Sequence, residues 1–365
     1  MQIINDRRAQ HRIPELQWEL PETMEYLKGA LSGLNCRLFA PVEGSLCAWF
    51  DFGAEKAIAF RADCDALPIC EKGECDYVSA HPGKLHACGH DGHMAILLEL
   101  DRRLSEKTKL NRNILLIFQP AEESPGGAKI LCDTGLLETH QVEAVFGLHL
   151  WPGLEKGVGF SREQERRARS SELTVDIYGK SSHIAKASEG LDATAAAFEF
   201  YRQMVALERS LPEQVYRLLN FGKVHSGTAR NALSAHAHME GTLRAFQDDV
   251  FEYLRDGLHT IASDVEKATG CAVQLHLADG YPAVMNSGEV LTKVNAVAPV
   301  RMLEEASMTS ADFSWYQRHV PGVFFFLGLG DVPALHSDNF DFDDSILVKG
   351  ADFFEKLAEC YRCSL

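Results

Sequence analysis

The stretch from His86 to His93 concentrates side chains that can bind a metal ion: three imidazoles, one thiol and one carboxylate occur within eight residues. Cysteine and histidine are the donors that zinc prefers, and two intervening glycines let the backbone bend so that neighbouring side chains converge. A polar turn leading into a helix would use the same residue types. The cluster therefore predicts a metal centre only together with donors from elsewhere in the chain.

Further donors occur at or just after the ends of three apolar segments. The adjacent carboxylates Glu122 and Glu123 follow the first segment, His149 closes the second and His336 follows the third. Neighbouring side chains of an extended backbone point in opposite directions, so one carboxylate can bind metal while the other faces a substrate. A single histidine at a strand end is more often structural. Several such signals at one sheet edge favour a shared functional site.

An open α/β sheet would position these residues. Short and largely apolar segments are typical of central strands that are buried on both faces, and they occur at residues 57–62, 113–118, 144–150 and 323–328. Helices are predicted at residues 91–106 and 344–362. Because ligands of open α/β sheets bind beyond the carboxyl ends of the strands, the metal centre is predicted at that edge.

A second type of organisation occupies residues 171–282, where the pattern becomes strand, helix, two strands, helix, strand. In the second of these helices apolar residues recur at spacings of three and four, and Gly270 follows as a stop signal. The recurring residues are Phe251, Leu254, Leu258, Ile261 and Val265. We therefore predict one α/β domain formed by residues 1–170 and 283–365, with an α+β domain of residues 171–282 inserted into it.

The composition indicates a globular protein that acts on small molecules. Hydrophobic residues at 46% and charged residues at 24% argue against disordered, fibrous and membrane-spanning classes. The formal charge of -16, without a cluster of Lys and Arg, argues against a nucleic-acid partner. We expect a cytoplasmic protein with reduced thiols and no membrane partner. The Cys360–Cys363 pair is interpreted as part of a terminal helix, with a metal or redox motif as the alternative.

Four segments of the sequence resemble a known family: RADCDALPI at 61–69, HPGKLHACGHDGHMA at 81–95, FQPAEESPGGA at 118–128 and GLHLWP at 147–152. They are similar to the amidohydrolase branch of the dinuclear zinc metallopeptidases, which includes aminoacylases, hippurate hydrolases and auxin-conjugate hydrolases. FQPAEESPGGAK and MTSADF are most similar to N-acetyldiaminopimelate deacetylases. The resemblance covers essentially the whole chain. It implies a zinc-peptidase-like α/β/α catalytic domain with an inserted lid and dimerisation domain.

Matched residue by residue, the resemblance implies two divalent metal ions per subunit, with Zn²⁺ favoured over Mn²⁺ or Co²⁺. The implied ligands are Cys88, His90, Glu123, His149 and His336, with Cys88 as the candidate that bridges both ions. Glu122 becomes the general base, which takes a proton from the metal-activated water and passes it to the leaving amine. Asp65 would orient a metal-bound imidazole or, alternatively, cap its strand.

In the inserted domain the resemblance implies a lid histidine, His183, that stabilises the oxyanion and is often donated by the partner subunit of a homodimer. Asn231 and Arg244 match positions that bind the carboxylate of the substrate. The expected reaction removes an acetyl, benzoyl or similar group from an N-acyl amino acid, with N-acetyldiaminopimelate as one candidate. A carboxypeptidase or dipeptidase with the same centre is the alternative. A metal-dependent binding protein that has lost catalysis is a third.

Overall fold

The computed structural model describes residues 1–73, 75–278 and 280–361, which fold into two compact units. The first unit contains Met1–Arg166, Val284–Ala306 and the described residues from Ala311 onward, and the second contains Arg167–Ala283 and Ser307–Ser310. The sequence placed residues 167–170, 283 and 307–310 in the first domain, whereas the structure places them in the second unit. Residues 307–310 are tied to the start of the second unit because the amide of Ala168 donates to the carbonyl oxygens of Ser307 at 3.2 Å and Thr309 at 3.0 Å.

The first unit is built on an eight-stranded sheet with the order β1-β2-β4-β3-β5-β14-β6-β13. Its elements before the second unit are α1 (Gln2–Arg12), α2 (Pro21–Leu31), β1 (Arg37–Phe39), β2 (Leu46–Phe50), β3 (Ala57–Asp63), α3 (His90–Ser105), β4 (Asn113–Gln119), α4 (Gly127–Asp133), α5 (Leu136–Thr139), β5 (Val142–Trp151), β6 (Gly159–Ser161) and β7 (Gln164–Arg167). Those after it are β12 (Val284–Asn286), α8 (Gly288–Val297), β13 (Arg301–Met302), α9 (Ser314–His319), β14 (Gly322–Gly328) and α10 (Leu347–Cys360).

The central strands β4, β3, β5 and β14 run parallel, and β3, β4 and β14 are buried at every position. Such strands are covered by helices on both faces. One apolar core packs α3 and α10 against the sheet, and a second core lies on the opposite face. The four predicted strands are confirmed, with ends shifted by at most two residues. The predicted helix at 91–106 is also confirmed, one residue earlier.

The second unit contains a four-stranded antiparallel sheet with the order β11-β8-β10-β9, together with two long helices. Its elements are β8 (Arg169–Tyr178), a 3₁₀ turn (Ile184–Glu189), α6 (Ala193–Arg209), β9 (Arg217–Ser226), β10 (His236–Ala245), α7 (Asp248–Thr269) and β11 (Ala272–Leu277). This is the predicted order of strands and helices. The predicted stripe of α7 is buried along its whole length, and Gly270 ends the helix with a φ of 71°.

The end of the chain differs in detail from its prediction. A 3₁₀ turn, Asp344–Ile346, precedes α10. Cys360 ends this helix, and the second cysteine of the pair, Cys363, lies outside the described residues. Among the described residues, no helix combines the length and the apolar character that crossing a membrane requires.

Candidate metal centre

The candidate centre lies at the carboxyl edge of the parallel strands. Asp63 and Gln119 are the last residues of β3 and β4 and are partners in the strand register. His149 is close to the end of β5, where it pairs with Phe326 of β14. The parallel arrangement thus brings polar side chains that are distant in sequence to one edge of the sheet.

Two groups of donor side chains that share Cys88 meet at this edge. The ligand atoms of Cys88, His90 and His149 lie within 4.8 Å of one another, and so do those of Cys88, Glu123 and His336. Cys88 Sγ is 3.4 Å from His149 Nε2. Glu123 Oε1 is 3.4 Å from His336 Nε2 and 3.9 Å from His90 Nε2. The structure therefore brings together all five side chains that the sequence predicted as ligands, and Cys88 belongs to both groups.

Two of the imidazoles are held so that Nε2 faces the centre. His90 Nδ1 lies 2.7 Å from the carbonyl oxygen of Asp65, and His149 Nδ1 lies 2.7 Å from that of Leu150. A carbonyl oxygen only accepts hydrogen bonds, so both Nδ1 atoms carry a proton, and in the neutral rings Nε2 is the nitrogen that presents a lone pair. Nε2 of His90 is buried and has no hydrogen-bond partner among the described residues.

Asp65 orients one of the candidate metal-binding imidazoles, as the resemblance implied, and it has a second task. Its backbone carbonyl, rather than its carboxylate, orients His90. The carboxylate accepts hydrogen bonds from the amides of Glu122 at 2.9 Å and Glu123 at 3.1 Å. The chain turns at Ala121, which has a φ of 56°, so that both amides can face the end of β3. Asp65 is thus a positioning residue for the two adjacent glutamates.

The adjacent carboxyl groups of Glu122 and Glu123 differ in electrostatic environment. Burial, followed by the negative charges of Glu123, Asp312 and Asp63, raises the pKa of Glu122 well above its usual value. Burial also acts on Glu123, but the imidazoles of His336 and His90 outweigh it and lower the pKa of that carboxyl. Neighbouring carboxyls whose pKa values are driven apart are suited to separate roles, one as a base and one as a ligand.

The other two histidines of the 86–93 cluster do not belong to either donor group with Cys88. His93 Nδ1 donates to Asp63 Oδ1 at 2.6 Å, and its Nε2 accepts from the amide of Leu150 at 2.9 Å. Both ring nitrogens are therefore used to join β3 to β5. His86 is fully buried, and burial lowers its pKa to about 3, so this imidazole is neutral.

The predicted lid histidine and the two predicted substrate-binding residues lie in the second unit. His183 and Asn231 are close together, because His183 forms a backbone bridge with Ala232 and the amide of Ile184 donates to the carbonyl of Asn231 at 3.0 Å. Both are exposed. Arg244 is near the other end of β10, roughly 25 Å further along the strand. The structure thus groups His183 with Asn231 and separates both from Arg244.

The chain is similar in sequence to known proteins. A family model described as peptidase family M20/M25/M40 matches residues 59–359. The chain belongs to this family. An uncharacterized hydrolase of Staphylococcus aureus (strain USA300) is 31% identical to this M20-family chain over 375 residues, which cover 99% of the chain and 98% of the relative.

Two solved structures are similar to this M20-family chain over nearly its full length. A protein from methicillin-resistant Staphylococcus aureus, provisionally described as an aminohydrolase, has a TM-score of 0.90 and 26% identity, covering 97% of this chain and 95% of its own. The Bacillus subtilis YXEP protein, described as a dinuclear metal-binding peptidase from the M20 family, has a TM-score of 0.84 and 27% identity, covering 98% and 96%.

Sequence reasoning missed a buried charged network behind the centre of this M20-family chain. The Arg61 guanidinium donates to Asp63 at 2.5 Å, to Asp312 at 2.7 Å and to Gln119 at 2.8 Å, and all four side chains are buried. Burial opposes ionisation of Asp63, but Arg61 outweighs it and lowers the pKa of that carboxyl. The sequence signal that could have revealed this network was Arg61, a charged residue within the largely apolar strand β3.

Replacing Arg61 by methionine should lower the free energy of unfolding by about 3–5 kcal/mol, because Asp63 and Asp312 would remain buried without their cation. Urea denaturation measures this change. Arg301→Met is the matched control, since Arg301 forms a surface ion pair with Glu155 and its loss should cost less than about 1 kcal/mol. Equal midpoints for the two variants would contradict the role of Arg61.

His11, a buried histidine that contacts Asp91, makes the free energy of unfolding dependent on pH. His11 contacts Asp91 at 2.7 Å and Glu71 at 3.2 Å; burial disfavours its charge, but these hydrogen bonds outweigh burial and raise its pKa to about 9. Because the ordinary pKa of a histidine is 6.5, protonated His11 makes its full contribution to the stability of the fold below pH 6.5. That contribution, about 3 kcal/mol, is lost as the pH rises through 9.

The measurement compares urea unfolding near pH 6 and above pH 9 for the unchanged chain, His11→Asn and His259→Asn. His259 is exposed on α7 and serves as the control. The unchanged chain and the control should lose more stability with rising pH than His11→Asn. Parallel pH profiles for all three would show that His11 does not carry this effect.

Proposed function

We propose that this chain is a metal-dependent amidohydrolase that removes an acyl group from the nitrogen of an N-acyl amino acid. The observation that carries the proposal is the membership of Cys88 in two donor groups, with the buried carboxyl of Glu122 adjacent in sequence to the donor Glu123. Two ions that share a ligand beside a base suit the hydrolysis of an amide. The dinuclear character of the similar Bacillus subtilis protein adds support.

The side chains present fit divalent transition-metal ions. One thiolate, three imidazoles and one carboxylate are a donor set that suits Zn²⁺ and admits Mn²⁺ or Co²⁺. The buried Nε2 of His90 without a hydrogen-bond partner among the described residues is a cost that a bound ion removes. We propose that each donor group holds one ion. The ligands of one are Cys88, His90 and His149, and those of the other are Cys88, Glu123 and His336.

When bound, the ions would supply Lewis-acid polarisation of the scissile carbonyl and a water of lowered pKa. In the proposed reaction Glu122 accepts a proton from this water at a carboxylate oxygen and then delivers it to the departing amine nitrogen. Burial and the neighbouring carboxylates raise the pKa of Glu122, which favours its holding the proton between the two transfers. Asp65 holds the amide of Glu122 and thereby fixes the backbone that carries the base.

Recognition of the substrate is proposed to use the second unit. Arg244 donates from Nη1 to the carbonyl of Met308 at 2.6 Å, and its buried Nε has no hydrogen-bond partner in the described part of the chain. A guanidinium with a remaining donor suits the free carboxylate of an amino acid. Because His183 and Asn231 lie roughly 25 Å from Arg244 along the strand, we further propose that the partner subunit of a homodimer contributes them, with His183 polarising the scissile carbonyl and Asn231 contacting the substrate. The homodimer formed through residues 171–282 stays a prediction.

A peptidase that uses the same centre is the second candidate, because the similar Bacillus subtilis protein is described as a peptidase. The test supplies the purified chain with Zn²⁺, Mn²⁺ or Co²⁺ and offers matched N-acetyl amino acids, N-benzoyl amino acids and dipeptides. We expect metal-dependent release of the free amino acid from the acyl substrates. Faster cleavage of dipeptides would favour the peptidase, and no metal-dependent turnover of any substrate would overturn the proposal.

Removing the guanidinium in Arg244→Ala should raise KM for N-acyl amino acids by roughly 10- to 100-fold, because a charge-assisted hydrogen bond to the substrate carboxylate is lost. Initial rates over a range of substrate concentrations measure this effect. Arg202→Ala, which removes an exposed arginine of α6 paired with Glu199, is the control and should leave KM unchanged. Unchanged KM and kcat in Arg244→Ala would mean that another residue binds the carboxylate.

A further inference from the structure

The solvent-facing side of the sheet in the second unit carries another group of metal-ligand side chains. Alternation along β10 directs Met239 into the core and places His236 and His238 on the opposite face. Asp176 of β8 is the register partner of His238. Two histidines separated by one residue on a strand, and an aspartate on the neighbouring strand, thus converge on one exposed patch.

The distances within this patch fit a three-ligand site. His236 Nε2 and His238 Nδ1 lie 2.7 Å and 2.8 Å from the same carboxylate oxygen, Oδ1 of Asp176. All three ligand atoms fall within 4.8 Å of one another. An ion about 2.0–2.2 Å from each donor can therefore be admitted by small side-chain rotations. The side chains are 48%, 29% and 25% exposed for His236, His238 and Asp176, which leaves room for water as a fourth ligand.

Surrounding groups orient the donors as they do around metal ligands. His238 Nε2 lies 2.8 Å from Glu240 Oε1, and Glu240 is paired with Lys223 at 2.8 Å. A proton held on Nε2 by this carboxylate leaves Nδ1 as the coordinating nitrogen, which is the usual carboxylate–histidine–metal arrangement. The ring of His236 stacks on Tyr178 with centroids 4.9 Å apart. Both imidazoles are thereby held before any ion binds.

We propose that Asp176, His236 and His238 form a binding site for one divalent transition-metal ion, with Zn²⁺ as the ion that this donor set fits best. The site is separate from the centre around Cys88. A simple ion pair needs only one imidazole nitrogen beside the carboxylate, whereas here two imidazole nitrogens face the same carboxylate oxygen. Binding displaces the protons shared between these groups, so the affinity rises with pH. The ion ties β8 to β10 on the open face of the sheet.

The test counts Zn²⁺ bound per intact chain by equilibrium dialysis at micromolar free Zn²⁺, followed by elemental analysis. We expect His236→Asn and His238→Asn each to bind one ion fewer than the unchanged chain. His259→Asn removes an exposed histidine of α7 and should bind as many ions as the unchanged chain. Circular dichroism verifies that the variants are folded. The difference between variants does not depend on how many ions the Cys88 centre holds.

Glu240→Gln distinguishes an oriented site from a chance pair of surface histidines. It keeps all three ligands but weakens the hold on His238, so the affinity of the additional ion should fall by about 10- to 100-fold. The proposal is overturned if the two histidine variants bind as many ions as His259→Asn. It is also overturned if the additional ion binds only at millimolar Zn²⁺ with an affinity that Glu240→Gln leaves unchanged.

Discussion

Replacing Glu122 by glutamine is expected to lower kcat by about 10²- to 10⁴-fold, which is the range that a positioned general base contributes. Glutamine keeps the size of the side chain and a polar end, but it can neither take a proton from water nor return one to the leaving amine. Glu122 is not a member of the donor groups. The variant should therefore keep its bound metal and change KM little, and steady-state kinetics together with metal analysis would show both effects.

Glu55→Gln is the matched control for this experiment, because Glu55 is an exposed glutamate of the same unit, and its loss should leave kcat unchanged. The pH profile adds an independent readout: the acidic limb of kcat, which reports ionisation of the base, should disappear in the residual activity of Glu122→Gln. Full activity in this variant would exclude Glu122 as the base. Loss of activity together with loss of metal would instead indicate that Glu122 is a ligand.

The edge of the sheet could be predicted from the sequence because a parallel strand that is buried on both faces shows itself as a short run of adjacent apolar residues. Apolar runs such as 57–62 and 144–150 mark strands that water cannot reach, and their polar ends then coincide in space. His149 and the Glu122–Glu123 pair were found in this way. His336 follows the last strand. Its backbone amide donates to the carbonyl of Ala87 at 2.8 Å, and this hydrogen bond holds His336 next to the loop that contains Cys88.

Contacts within the chain's interior could not be predicted, because they depend on the angles of individual turns. The positive φ of Ala121 turns the backbone so that Asp65 receives two amides, and no pattern of residue types shows this. The pairing of Arg61 with Asp312 spans 251 positions along the chain. His93 resembles His90 in the sequence, yet contacts with Asp63 and Leu150 occupy both of its nitrogens.

Because Cys88 belongs to both donor groups, replacing it is expected to lower both metal binding and turnover. Removing a ligand that belongs to one donor group should remove one ion, whereas removing the ligand common to both should weaken both. At a free Zn²⁺ concentration that fills the unchanged centre, the centre of His149→Ala is expected to keep about one of its two ions and that of Cys88→Ala less than one, not counting an ion at Asp176, His236 and His238. Turnover should fall in both variants, because polarisation of the carbonyl and activation of water require the ions.

Thiolate ligation gives this prediction a readout besides stoichiometry. With Co²⁺ as the probe, the sulfur-to-metal charge-transfer absorption should be present in the unchanged chain and in His149→Ala, and absent in Cys88→Ala. Cys70→Ala is the control, because Cys70 is an exposed thiol outside the donor groups with Cys88. If Cys88→Ala retained one full ion while His149→Ala lost both, His149 would be the shared ligand. The two ions would then be joined through β5 rather than through the loop that precedes α3.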